Sequence, residues 1–300
     1  MKFGVIPVID DIDFTLPKLD PNYLVCQEPI PYKQVEFRLG APVWADKNYV
    51  GTLFPPKTPQ RLFLNAYAKQ FNSIEVNATR FGSPKPHIID RWKDSVPEDF
   101  KFSLKIPQVV TYRKDMNEYK ARVRLDEFFV ALDRLGAHNG VSFGVMPNYL
   151  RDEHIDRLQL FVEHLPRDVS FAIELRDPSW YTPEAIEDWY NLFKENNIIP
   201  INTATYERRD VLQLKLTNEH LFVRYVGRFF HPSDLLRIDN WVEKIKALID
   251  AGATRHVWFY VHQPGENRQW VVDFFNTFIG KLNEEMGLEL KRLEEYGVVF

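Results

Sequence analysis

The stretch VSFAIELRDPSWYTPEAIEDWYNLFKENNIIPIN, residues 169–202, carries the unit that decides the fold. A short apolar run, 169–175, leads into an amphipathic segment, 183–196, and then into a second short apolar run, 198–202. Thr182-Pro183 puts a capping hydroxyl before a proline at the first helical position, where the missing N–H does no harm. Strand, helix and strand in this order imply two parallel strands joined by a crossover helix.

The same alternation recurs from Val35 onward. Candidate strands fall at 35–41, 73–79, 101–106, 140–145, 169–175, 198–202, 221–226 and 255–261, with amphipathic stretches at 59–70, 119–135, 152–165, 183–196, 234–251 and 268–282. Thr58-Pro59 repeats the helix-start signal, and Gly136 and Gly252 follow their helices where a left-handed cap is expected. Eight such units favour closure into a single (β/α)8 TIM barrel over an open doubly wound α/β sheet. No glycine-rich turn follows the first strand, as a dinucleotide-binding open sheet would require. The segment 211–216 reads as an extra strand or an irregular loop. Pro7, Pro17, Pro21, Pro29 and Pro31 break any regular element in residues 1–34, which are expected to form an arm packed on the barrel. The barrel then occupies 35–285, and 286–300 is a C-terminal extension.

A net charge of −4 over 300 residues gives no bulk reason to bind nucleic acid or an anionic membrane. An anion site must therefore be a local cluster of cations. Cys26 is the only cysteine, which excludes an intramolecular disulfide and a cysteine-rich zinc site and fits a reducing compartment. No apolar run approaches the ~20 residues that span a bilayer. Asp10, Asp11 and Asp13 interrupt the N-terminal apolar run where a signal peptide would continue, so the cytoplasm is the expected location.

Strand side chains alternate faces. In 73–79, Ile74, Val76 and Ala78 suit the helix-facing side, which turns Glu75, Asn77 and Thr79 inward. In the third strand Phe102, Leu104 and Ile106 face helices, and Lys101, Ser103 and Lys105 point inward. In the fifth, Phe171, Ile173 and Leu175 alternate with Ala172, Glu174 and Arg176. Arg38, Asn202, Arg224 and His262 add polar groups near the ends of the first, sixth, seventh and eighth strands. Each alone reads as a solvated or paired rim residue. Together they converge on the strand ends where barrel enzymes do chemistry.

Lys105, Arg176, Arg224 and Arg38 outnumber Glu75 and Glu174, which suits a small anionic substrate gripped by Arg forks. Glu75 and Glu174 are the candidate catalytic acid/base groups. Asn77, Lys105, Arg176, Trp180, Arg224 and His262 are the candidate substrate-binding residues. Trp44 and Trp180 sit in loops after strands, where a tryptophan stacks on a base or sugar ring or packs on the rim. Of the eight histidines only His262 stands at the C-terminal end of a strand. Glu75, Glu174 and His262 are then the only plausible metal trio, so neither an obligatory metal nor a cofactor is expected. Walker A, H-E-x-x-H and G-x-S-x-G are all absent.

Six segments carry a family resemblance: APVW (41–44), FNSIEVNATRFGSP (71–84), FKFSLKIPQVVTY (100–112), GVMPNYL (144–150), FAIELRDPSW (171–180) and RYVG (224–227). In their order and spacing the chain resembles the YecE-like family of TIM-barrel proteins of unknown function, over roughly residues 35–275. The most specific patterns are E-x-N-x-T-x-[FY] and E-x-R-x-x-S-W. The resemblance implies a barrel with signature positions at Glu75, Asn77, Lys105, Glu174, Arg176, Ser179, Trp180 and Arg224. Tyr112, Asp177, Asn202 and the stretch FYVHQPGENRQ depart from the usual family pattern, as does the long arm, and mark a divergent branch.

Four functions follow from these residues. The first is a metal-independent hydrolase or lyase acting on a phosphorylated or other anionic substrate. The second is a nucleic-acid-processing, endonuclease-like barrel, disfavoured by the acidic charge. The third is a glycosidase-like enzyme using the two glutamates, at a carboxyl separation of about 5–5.5 Å for retention or about 6.5–9.5 Å for inversion. The fourth is a non-catalytic ligand-binding protein whose mouth is an ion-pair network.

Overall fold

A computed structural model of the chain describes residues 12–113, 118–206, 208–263 and 268–296. Its strands are β1 (Glu36–Gly40), β2 (Ser73–Val76), β3 (Lys101–Leu104), β4 (Ser142–Val145), β5 (Phe171–Glu174), β6 (Ile198–Ala204), β7 (His220–Val226) and β8 (His256–His262). The helices are α1 (Phe63–Gln70), α2 (Pro86–Lys93), α3 (Gln108–Thr111), α4 (Tyr119–Leu135), α5 (Ile155–Glu163), α6 (Pro183–Glu195), α7 (Pro232–Asp250) and α8 (Gln269–Met286). All strand pairings are parallel. Six strands form one sheet in the order β1-β8-β7-β6-β5-β4, and β2 pairs with β3. The fold is thus α/β with a mostly parallel central sheet. The ladder does not run continuously through all eight strands.

The interruptions have local causes. Beside β1, the Asn72 side chain accepts from the Leu39 N–H (2.9 Å) and donates to the Phe37 carbonyl (2.7 Å). The Tyr67 hydroxyl accepts from the Ala41 N–H at 2.7 Å. Side chains thus satisfy the backbone groups that a neighbouring strand would otherwise pair. Close approach here depends on Gly40, because a Cβ at that position would lie 2.2 Å from the Ser73 carbonyl oxygen. Between β3 and β4 only separate bonds remain, from Gly140 N–H to Phe102 O (3.0 Å) and from Ile106 N–H to Phe143 O (2.8 Å).

Two apolar clusters lie on opposite faces of the strands. Phe102, Leu104, Phe171 and Ile173 join the large one beneath the helices. Phe143, Ala172, Ile199, Ile201, Phe222, Trp258 and Tyr260 form the smaller one on the other face. The alternation read from β3 and β5 is therefore present, and it turns polar residues toward the smaller core.

Several boundaries differ from the sequence expectation. The second strand stops at Val76, and Asn77–Phe81 coil into a 3-10 turn. Thr58 caps nothing; its hydroxyl donates to the Pro55 carbonyl, and α1 begins only at Phe63 after a 3-10 turn, Gln60–Leu62. Thr182 does cap α6, accepting from the Ala185 N–H at 3.3 Å. Gly136 and Gly252 both take positive φ, +55° and +69°, but the ψ of −125° at Gly136 places it outside the left-handed helical conformation expected of a cap. The segment 211–216 is irregular, with Leu212, Leu214 and Leu216 buried.

Residues 12–35 lie against the body of the protein. Gln27 N–H donates to the Gly252 carbonyl (2.9 Å), and the Leu216 N–H donates to Tyr23 O (2.9 Å). After α8 the chain folds back, burying Leu288 and Leu293. The first eleven residues of the expected arm and the last four of the extension lie outside the described residues. Among the described residues no helix is long and apolar enough to cross a membrane.

Candidate functional site

The C-terminal ends of four strands bring their polar residues together. Glu75 is next to last in β2, Glu174 closes β5, Arg224 lies in β7, and His262 closes β8. Lys105 follows β3, and Asn77 opens the 3-10 turn after β2. Arg224 is the centre of this cluster and is fully buried. Its Nη2 and Nε donate to the two Glu75 oxygens at 2.9 and 3.1 Å, while Nη1 donates to Glu174 Oε2. Arg176 Nε donates to the other Glu174 oxygen. His262 Nε2 stands 2.9 Å from Glu75 Oε2, and Asn77 Nδ2 donates to Glu75 Oε1 at 2.7 Å. Glu75 thus receives two donors on each oxygen, and Glu174 one on each.

Burial alone would raise both carboxyl pKa values, but the neighbouring cations outweigh it. Arg224 and His262 hold Glu75 well below the usual carboxylate range. Arg176 and Arg224 bring Glu174 down to about 2. Neither glutamate stores a proton near neutral pH.

Lys105 is different. Burial, then the adjacent Arg224, lowers its pKa from 10.5 to about 8, against the opposing pull of Glu75 and Glu174. Among the described residues no hydrogen bond or ion pair reaches its ammonium. Its Nζ lies 5.8 Å from the centre of the Phe143 ring, and the Arg224 guanidinium lies 5.6 Å from the same ring. Phe143 is therefore an apolar, electron-rich floor beneath both cations.

Three sequence expectations are corrected. Trp180 presents no face to the mouth: it is fully buried under the loops, and its indole N–H donates to Leu150 O at 2.6 Å. Arg38 is the middle residue of β1, and its side chain turns back toward the opposite rim, bound to Glu36 and to the Asp99 carbonyl. Asn202 faces away from the smaller core and accepts from the Leu214 N–H at 3.0 Å, pinning the irregular 211–216 segment.

The trio Glu75, Glu174 and His262 does not form a metal site, because the Arg224 guanidinium bonds both carboxylates. Among the described residues, ligand spacing occurs instead at Glu219, His220 and His256, at the opposite ends of the strands. There the two imidazoles stack at 4.4 Å and 14°, so their in-plane lone pairs do not converge on one ion. The His256 Nδ1 lies 2.8 Å from Glu36, and the Trp258 indole donates to His220 Nδ1. This group reads as a rim network.

Comparison with known proteins matches residues 38–291 to the family described as "Protein of unknown function DUF72". The chain belongs to the DUF72 family. Relatives of this DUF72 chain include the UPF0759 protein YecE of Escherichia coli K12, 26% identical over 128 residues. That match covers 43% of this chain and 46% of YecE, so it spans about half of the relative's length. The UPF0759 protein YunF of Bacillus subtilis is 25% identical over 238 residues, covering 70% of this chain and 83% of YunF. A crystal structure of a DUF72 family protein from Enterococcus faecalis V583 superposes with a TM-score of 0.66 at 18% identity, over 86% of this chain and 98% of that one. One from Thermotoga maritima MSB8 gives 0.62 at 16% identity, over 84% and 100%. At these identities the likeness is one of fold.

Two residues of the DUF72 chain's site escaped the sequence reading. Phe143 looked like ordinary core, and only its place beneath Lys105 and Arg224 reveals a role. Thr79 stood in the E-x-N-x-T pattern without an assigned task. Its hydroxyl lies 2.9 Å from the Val76 carbonyl and 2.7 Å from that of Lys105, tying the end of β2 to the end of β3.

Proposed function

We propose that this DUF72 protein is an enzyme that takes a phosphorylated or otherwise anionic small substrate at Lys105, without an obligatory metal. The observation that carries the reading is the Lys105 ammonium, buried beside a cluster whose other cations are already engaged by carboxylates. Lys105, Arg176 and Arg224 set against Glu75 and Glu174 leave one positive charge in excess. An anionic group bound at the mouth would neutralise it.

The acid/base role passes in this reading from the glutamates to Lys105, whose pKa of about 8 lets it hold or release a proton under working conditions. Glu75 and Glu174 act as positioning residues that fix Arg224, Arg176 and His262. A glycosidase pair leaves room for a sugar or a water between its carboxyls. Here Arg224 bridges them, which disfavours that reading. The net charge of −4 disfavours an endonuclease-like role.

The architectural part of the proposal is a single TIM barrel over 35–285, with 1–34 as an arm and 286–300 as an extension. Its support is the core on the inner face of the strands, together with the bonds across both seams. A reducing, cytoplasmic setting suits the single, exposed Cys26.

The test is calorimetric titration with inorganic phosphate at low ionic strength. The full chain is expected to bind phosphate, and Lys105→Met to bind it at least about tenfold more weakly, the scale of one charge-assisted contact. Absence of phosphate binding to the full chain would sink the anionic-substrate reading. It would favour a non-catalytic mouth, a reading supported by the mutual pairing of Arg224, Glu75 and Glu174.

A further inference from the structure

Next to the charged cluster lies a cavity of about 360 Å³ whose walls are chemically unlike it. It opens between the loop that follows β1 and the 3-10 turn that follows β2, so it shares the rim on which Glu75 stands. Val43, Trp44, Val76, Asn77, Arg80 and Phe81 line it. Asn77 belongs to both places: its amide donates to Glu75, and its flank forms the cavity wall.

The aromatic walls are set differently. Trp44 is half-buried and braced edge-on against Trp92 at 5.3 Å, which in turn stacks on Phe102 at 5.6 Å and 20°. Its orientation is therefore held by the core before anything binds. Phe81 is 78% exposed, an unusual place for a phenyl ring, and the Arg80 guanidinium lies 4.4 Å from its centroid. A cation over one ring and a fixed indole suit a planar π system, and they do not suit a flexible aliphatic chain. The cavity also has the size and apolar lining usual for small-molecule recognition.

We infer that this cavity is the subsite for a planar aromatic or heteroaromatic ring borne by the anionic substrate, with the ring between Trp44 and Phe81 and the anion toward Lys105. This rests on the anionic-substrate reading for the anion alone. The ring subsite stands on its own residues.

Three probes separate the two: adenosine monophosphate, ribose 5-phosphate and adenosine, each titrated into the full chain. The monophosphate is expected to bind about tenfold more tightly than ribose 5-phosphate, the scale of one base–aromatic stack. Trp44→Ala and Phe81→Ala should each remove most of that advantage and leave ribose 5-phosphate binding unchanged. Phe81→Ala is the cleaner variant, because an exposed side chain can be removed without opening the core. Adenosine binding that Phe81→Ala abolishes, without any binding of ribose 5-phosphate, would support the ring subsite and contradict the anion reading. Equal binding of the monophosphate and ribose 5-phosphate, indifferent to both variants, would overturn the ring subsite and leave the anion reading standing. Binding of none of the three would overturn the subsite, and with it the anion reading if inorganic phosphate also failed to bind.

Discussion

Arg224 shows how much a single buried charge demands of its surroundings. Its guanidinium has left water entirely, and two carboxylates with good geometry compensate it. Such a group is worth little compared with an apolar replacement of the whole network, but removing one partner strands the others. Arg224→Met is therefore expected to destabilise the fold by about 3–5 kcal/mol at neutral pH, measured by urea unfolding. The pH dependence has a definite sign. Glu75 and Glu174 titrate below their ordinary value of 4.5 in the folded protein, Glu174 at about 2. Their contribution is full above about pH 4.5 and is lost as pH falls through the lowered pKa values. The gap between wild type and Arg224→Met should consequently shrink on acidification below pH 4.5. A gap constant down to pH 2 would mean that the two carboxylates do not depend on Arg224.

At the scale of elements, the seam beside β1 is where the fold departs most from a regular ladder. Gly40 lets β1 lie against the Ser73 carbonyl, while Asn72 and Tyr67 serve the backbone groups of β1. Gly40→Ala is expected to cost about 1–3 kcal/mol, the usual range for overpacking, and to loosen Glu75 along with β2. Hydrogen exchange of the Leu39 and Ala41 amides would check it, and protection equal to wild type at both would refute it. The elements also mark how far the sequence could be read. Periodicity placed all eight strands because apolar alternation is a burial pattern. It carried the second strand three residues too far, since nothing in Asn77-Ala78-Thr79 announces the 3-10 turn. It passed over α2, although that helix is as long as α1, and α3, whose four residues are too short to display a period. Charged residues at the strand ends were legible for the same reason, because alternation assigns their face. Trp180 was not, because a loop tryptophan exposes or buries its ring according to packing that no local pattern encodes.

Across the whole molecule the charge is −4, while the mouth holds a local excess of one cation. The protein's long-range field does not favour anions; in the proposed reading Lys105 and its neighbours attract one at close range, and salt should weaken this attraction only modestly where the charge is buried. A desolvated ammonium works against the fold. With a folded pKa of about 8 against an ordinary 10.5, Lys105 withholds stability below pH 8 and stops doing so as pH rises toward 10.5. An anion would restore what burial removes, so in the proposed function Lys105 is the point where stability and function are traded. The central claim is therefore tested by following the Lys105 side-chain NMR signal against pH in 13Cε-lysine-labelled protein, assigned through Lys105→Met, with and without inorganic phosphate. The expected midpoint lies near pH 8 and moves upward when phosphate is present. An ordinary midpoint near 10.5, indifferent to phosphate, would contradict it.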